Sequence, residues 1–173
     1  ARQGRPADHR GIPTADSTDG TPNGFHILSV QDTTYSTRFV PATGKPIARL
    51  RVVLDGPHRK RSAGAPAQAR AAVLGLSVPE SDVPQCRIIA NVFDGGPKTR
   101  VSFAILRHTQ PASMEKASVP DPIVHDLFSG SVPRKSWVQA VTSSHIWQAP
   151  LPATLPPGAH VLLVRVQDEY DRE

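Results

Sequence analysis

Seven histidines are the first residues to ask about chemistry: His9, His26, His58, His108, His125, His145 and His160. Imidazoles hold a metal or activate water most readily when two stand at His-x-His or His-Glu-x-x-His spacing. No pair here does, so any metal centre would have to be assembled from distant parts of the chain. His26 and His160 open apolar runs, where a ring that caps a sheet edge is the simpler reading. Asp16 and Asp19 beside Gly20 hint at a calcium loop. The EF-hand ligand spacing is missing and no helices flank it, so a turn is expected.

Nucleophiles are equally sparse. Ser143-Ser144-His145 and Ser129-Gly130-Ser131 lack the Gly-x-Ser-x-Gly elbow and its strand-turn-helix setting, and both read as loop serines. The single cysteine, Cys86, excludes an internal disulfide. It stands beside Arg87-Ile88-Ile89, where a small buried residue is expected, and the sequence offers no base to activate it. Trp137, Trp147 and Tyr35 could line up as a sugar-stacking platform. In a chain with only 5% aromatics, core packing is the expected fate of both tryptophans. Neither a phosphate loop nor a dinucleotide fingerprint is present.

Composition narrows the partners. The chain has 173 residues, enough for one domain plus an arm, and a net charge of +5. Its one tight basic run, His58-Arg59-Lys60-Arg61, lies in a Gly/Ala/Pro stretch at 56–70 and reads as a solvated, disordered loop. Nucleic-acid binding needs a basic stripe with a reader element or stacking aromatics, so none is expected. No apolar run is long enough for a membrane span, and no signal peptide is present. The chain opens Ala-Arg-Gln rather than with Met, as a processed product or a piece of something longer would.

With 18 prolines and 12 glycines, the chain is rich in turns and poor in long helical patterns, which predicts an all-β fold. Residues 1–24 read as an extended arm, and residues 25–173 as an immunoglobulin-like β-sandwich of roughly eight strands with long loops. Phe25–Val30 and Tyr35–Val40 predict a first hairpin over 25–40, joined by the four residues Gln31–Thr34. Ile47–Leu54 is a strand with Leu50, Val52 and Leu54 on one face. Ala71–Val78 reads as a strand or a short helix, with Gly75 and the flanking Pro79 favouring the strand. Arg87–Phe93 and Thr99–Leu106 predict a second hairpin about Asp94-Gly95-Gly96-Pro97, with Val101, Phe103 and Ile105 inward. Residues 108–136 read as a long connection in which Asp121 caps a helical turn over Ile123–Phe128. His145–Ala149 is a short strand. Pro157–Arg172 holds the most apolar run of the chain, expected as a central last strand covered on both faces.

Several segments taken in order resemble the C-terminal domain of bacterial calcineurin-like metallophosphoesterases. Gly11-Ile12-Pro13, followed by Asp19-Gly20-Thr21-Pro22-Asn23-Gly24-Phe25, resembles the Asp-Gly-x-Pro-Asn-Gly-aromatic stretch after the last metal-binding motif of their catalytic domain. Asn91-Val92-Phe93-Asp94 is similar to their Asn-Val-Trp-Asp, with Phe93 in place of tryptophan. Asp121-Pro122, His145–Ala149, Gly158-Ala159-His160 and Val164-Arg165-Val166-Gln167-Asp168 resemble later segments. The turn Asp32-Thr33-Thr34 replaces an Asp-Gly-Asn-like one, and the tail Asp171-Arg172-Glu173 departs from the usual Gly-Arg ending.

The resemblance implies an accessory sandwich whose partner is the catalytic phosphoesterase domain of the same parent chain. The family's Asp-x-His, Gly-Asp, Gly-Asn-His and Gly-His-x-His metal motifs do not occur here, so no catalytic or metal-binding residue carries over. Divalent metals such as Mn or Fe are expected only in the parent's catalytic domain, and the arm is expected to lie against it. The motif positions Asp19, Gly20, Pro22, Asn23, Gly24, Asn91, Asp94, His160, Arg165 and Asp168 are expected to be structural. The resemblance also implies export to the periplasm or beyond. Two other readings stand beside it. One is a free-standing fibronectin- or immunoglobulin-like module that binds polysaccharide or protein through Trp137 and Trp147. The other is an independent hydrolase, which would need His145, His160, Asp94 and Asp168 to converge.

Overall fold

The computed structural model describes residues 17–42, 49–61, 77–129 and 139–170. Nine strands run through the described residues: β1 (Gly24–Gln31), β2 (Thr34–Pro41), β3 (Leu50–Asp55), β4 (Arg87–Val92), β5 (Arg100–Ile105), β6 (Ala112–Ser113), β7 (Glu115–Pro120), β8 (Thr142–Pro150) and β9 (Leu162–Gln167). Two short helices, α1 (Pro57–Arg61) and α2 (Pro122–Ser129), and a 3-10 helix at Glu80–Gln85 interrupt them. All strand pairs are antiparallel, in sheets ordered β3-β4-β8-β7, β6-β5-β9 and β1-β2.

The first two sheets pack face to face as an all-β sandwich. Alternation decides which side chains meet. Ile88, Ala90 and Val92 of β4 and Trp147 and Ala149 of β8 face Val101, Phe103 and Ile105 of β5. Leu50, Val52 and Leu54 close one side of this core, as the period of β3 predicts, and Leu162, Val164 and Val166 close another. The opposite face of the four-stranded sheet is also covered. Val53, Ile89 and Ile146 form a second cluster with Ala117, Val119 and Ile123 of α2. β4 is therefore buried on both faces and paired on both edges.

That placement corrects the second predicted hairpin. β4 and β5 lie in different sheets, because both edges of β4 are taken by β3 and β8. The turn at Asp94–Pro97 is an arch between sheets. Gly95 makes it possible: a Cβ there would come within 2.5 Å of the Trp147 ring. The last strand is corrected too. Among the described residues β9 pairs only with β5, at the edge of its sheet, and Leu163, like Val161 just before the strand, is exposed.

The connection after residue 108 contains two strands rather than loop alone. The chain leaves β6, buries Met114, and joins the other sheet as β7. Asp121 then caps α2 as expected, its Oδ1 accepting from the backbone N–H of Ile123 at 2.9 Å and of Val124 at 3.2 Å. Part of the basic loop is ordered structure as well. Residues 57–61 form α1, and the Arg59 side chain is buried between Asp55, Asp126 and the Pro122 carbonyl. A solvated-loop reading fails there because three oxygens, two of them from carboxylates, offset the desolvation of the guanidinium. The predicted Ile47–Ala48 start of β3, most of Ala71–Val78, and Trp137 lie outside the described residues.

The first hairpin forms its own two-stranded sheet in the expected place, but its connection has two residues, not four. Gln31 and Thr34 still pair, and Asp32 takes a φ of 52°, which an Asp side chain tolerates better than most.

Candidate functional site

Residues far apart in the chain meet where the end of the arm crosses the outer face of the four-stranded sheet. β3 and β4 point Arg51 and Asn91 away from the main core, and β8 adds His145 beside them. The N-cap of α2 supplies Asp121, whose side chain is 1% exposed. Its Oδ2 accepts from Arg51 Nη2 at 2.7 Å and from Asn91 Nδ2 at 2.6 Å. With Oδ1 engaged by the α2 cap, every direction of this carboxylate is used.

The arm closes over this pair. Arg51 also donates to the Gly20 carbonyl at 2.9 Å, and Asn91 to the Asp19 carbonyl at 3.3 Å. Because the Asn91 amide nitrogen faces carboxylate and carbonyl oxygens, its Oδ1 accepts from His145 Nδ1 at 2.9 Å. His145 Nε2 lies 3.2 Å from Asp19 Oδ2 and 3.3 Å from Thr21 Oγ1. Gly20 has a φ of 91° and runs so close to the sheet that a Cβ would meet Arg51 Nη2 at 2.7 Å and Asn91 Nδ2 at 2.8 Å. Burial alone would raise the Asp19 carboxyl. Hydrogen bonds from the Thr21 backbone N–H and from the Ser17, His145 and Thr21 side chains outweigh it and hold the group below its ordinary value. The described end of the arm is thus docked on the sandwich.

A second cluster joins the hairpin to the sandwich. Asp94, at the start of the arch, accepts from Arg49 Nη2 at 2.6 Å and from the Phe39 N–H at 3.4 Å. Asp168, just past β9, lies 3.7 Å from the same Arg49. Tyr170 OH and Thr37 Oγ1 are 3.4 Å apart. Phe39 is buried and packs against Gly24. Beside this cluster is a cleft of about 280 Å³, lined by Leu50, Val92, Thr99, Val164 and Arg165 among others.

The donor set does not suit a metal ion. Among the described residues no three His, Cys, Asp or Glu side chains group around one point. Asp19, Asp94 and Asp121 already accept from Arg, His, Asn or backbone donors. Among the described residues a hydroxyl and a thiol each stand near an imidazole, Thr21 Oγ1 beside His145 Nε2 and Cys86 Sγ beside His58 Nδ1. Ser143 Oγ accepts from the His145 backbone N–H at 3.2 Å and does not approach the ring. Cys86 is buried, as expected, but the reading that no base stands near it is corrected: the fold brings buried His58 to it, with Nδ1 3.5 Å from Sγ. The four residues of the independent-hydrolase reading do not converge. Asp94 and Asp168 share Arg49, His145 lies in the arm junction, and His160 bonds the Pro156 carbonyl and stacks edge-on against His108.

The structure thus sorts the motif positions. Asp19, Gly20 and Asn91 share the arm junction, and Asp94 and Asp168 share the hairpin cluster. Asn23 and Gly24 begin the hairpin, where the Asn23 carbonyl accepts from Ala42 N–H at 2.8 Å, and half-buried Pro22 leads into them. Arg165 lines the cleft on β9. His160 belongs to neither cluster. Trp147 packs in the core, as expected, rather than on a sugar-stacking platform: it is 3% exposed, with Lys116 Nζ 5.1 Å above its ring. Arg49 and Arg51 were not singled out from sequence. The alternation that sends Leu50 and Val52 inward is the signal that placed them together on the other face. Phe93 takes up this pattern, with the Arg51 guanidinium 5.6 Å from its ring centre.

A family model described as the C terminal of calcineurin-like phosphoesterase matches residues 4–173. No curated protein and no solved structure matched the chain.

Proposed function

The chain belongs to the family of C-terminal domains of calcineurin-like phosphoesterases, and on that premise we propose that it serves its parent enzyme as an accessory β-sandwich without a catalytic site of its own. The observation that carries this reading is the arm junction. Family-motif residues that could have done acid–base or metal chemistry, Asp19, Asn91, Asp121 and His145, instead satisfy one another and hold the arm. In the parent, a divalent metal such as Mn or Fe would activate water for attack on a phosphoester, and that metal would sit in the preceding catalytic domain. The sandwich would fix that domain's orientation or shape the rim of its cleft.

The buried Trp147 weighs against a polysaccharide-binding module. The test is hydrolysis of phosphodiester and phosphomonoester substrates with added Mn²⁺, by this chain and by the longest chain its gene encodes. Turnover confined to the longer chain is the expected result. Turnover by this chain alone would overturn the reading.

A further inference from the structure

The hairpin of β1 and β2 presents an apolar surface that nothing in the chain's described structure covers. Every residue of β1 is exposed. Among the described residues, five of the nine exposed large apolar side chains belong to this hairpin, although it spans only Gly24–Pro41. Leu28, Val30 and Tyr35 share one face near the tip, at 61%, 67% and 65% exposure, and with Thr34 they line an open depression. Phe25 and Ile27 are exposed on the other face. Toward the tip the opposite face carries Ser29, Gln31, Thr34 and Ser36, so the outer half is apolar on the Leu28–Val30–Tyr35 face, and the hairpin contributes to neither sandwich sheet.

Only the base is secured. Phe39 is buried, its N–H meets Asp94, and Thr37 meets Tyr170. A two-stranded ribbon is at best marginally stable in water without a further layer, and an exposed apolar cluster of this kind marks a contact surface. Resting on the accessory reading above, we propose that the outer half of this hairpin docks its Leu28–Val30–Tyr35 face against an apolar patch of the parent's catalytic domain. Two observations select that occupant. A C-terminal domain has its catalytic domain on the N-terminal side, and the hairpin is the first element reached from there, directly after the clamped residues 17–23. The tip carries Asp32 as its only charge, so its complement is apolar rather than ionic. A tethered partner also acts at high effective concentration, so a modest apolar contact suffices.

The test uses the full-length parent chain with a photo-activatable benzophenone side chain replacing Val30 or, separately, Leu28. The same replacement at Leu163, an exposed apolar position on β9, serves as the control. Intramolecular cross-links from positions 28 and 30 into catalytic-domain peptides, with none from 163, are expected. Cross-links that stay within the sandwich would overturn the proposal, and so would a covalent dimer showing that a second copy covers the hairpin. The two ideas fail separately. Hydrolysis by this chain alone removes the accessory reading, whereas a hydrolytically silent chain whose hairpin cross-links elsewhere removes the docking surface only.

Discussion

Asp121 illustrates what one buried carboxylate requires. Away from water it needs a cation and a full set of donors, and Arg51, Asn91 and the α2 backbone supply them. Arg51→Ala leaves that charge buried without its cation and is expected to cost about 3–5 kcal/mol, read as a lower midpoint in urea unfolding. Gly20→Ala tests the close approach of the arm. Its positive φ costs an L-residue roughly 1–2 kcal/mol, and the added Cβ also displaces Arg51 and Asn91. Gly158→Ala is the comparison, since its φ is 143° but nothing lies within 4 Å of the new Cβ. Gly20→Ala should lower the unfolding midpoint clearly more than Gly158→Ala; equal losses would mean that the contact with the sheet contributes nothing. Asp19 adds a pH signature. Its folded value lies below the ordinary 3.8, so its contribution is complete above 3.8 and disappears as pH falls through 3.8 to the lower folded value. Between about pH 5 and about pH 2, Asp19→Asn should therefore lose stability less steeply than the parent sequence does.

At the scale of elements, the legible parts were those set by local rules. The alternation of β3, the Asp121 cap and the inward side of β5 each depend on residues a few positions apart, and all three appear where the sequence places them. Pairing partners were not legible in the same way. Asp94-Gly95-Gly96-Pro97 has the chemistry of a hairpin turn, but an arch between sheets needs the same glycines. The choice is made by the claims of β3 and β8 on β4, which no local window contains. The apolar run of β9 misled for a related reason. Leu163 is as apolar as Val164, yet it faces outward at an edge. His145 meets Asp19 across 126 positions of sequence, so the junction could be anticipated only through the ordered motifs and not from spacing. The arch also predicts that Gly95→Val, whose side chain would overlap the Trp147 ring, perturbs both sheets at once. Tryptophan fluorescence should shift toward an exposed indole and the unfolding midpoint should fall.

For the molecule as a whole, the central claim is that the family motifs in this chain build a joint rather than a reaction centre. The arm is clamped through Asp19 and Gly20, the hairpin base through Asp94 and Arg49, and the apolar hairpin tip is left pointing outward from the sandwich. An accessory domain held this way would transmit its orientation to a neighbour through fixed elements, and loss of the joint would loosen the parent without emptying its metal site. The most direct measurement is made on the full-length parent carrying His145→Ala: bound metal per chain by elemental analysis, beside hydrogen exchange at residues 17–23. The account predicts unchanged metal content with faster exchange in that segment. Loss of bound metal with exchange unchanged would place His145 in the reaction centre and contradict the joint.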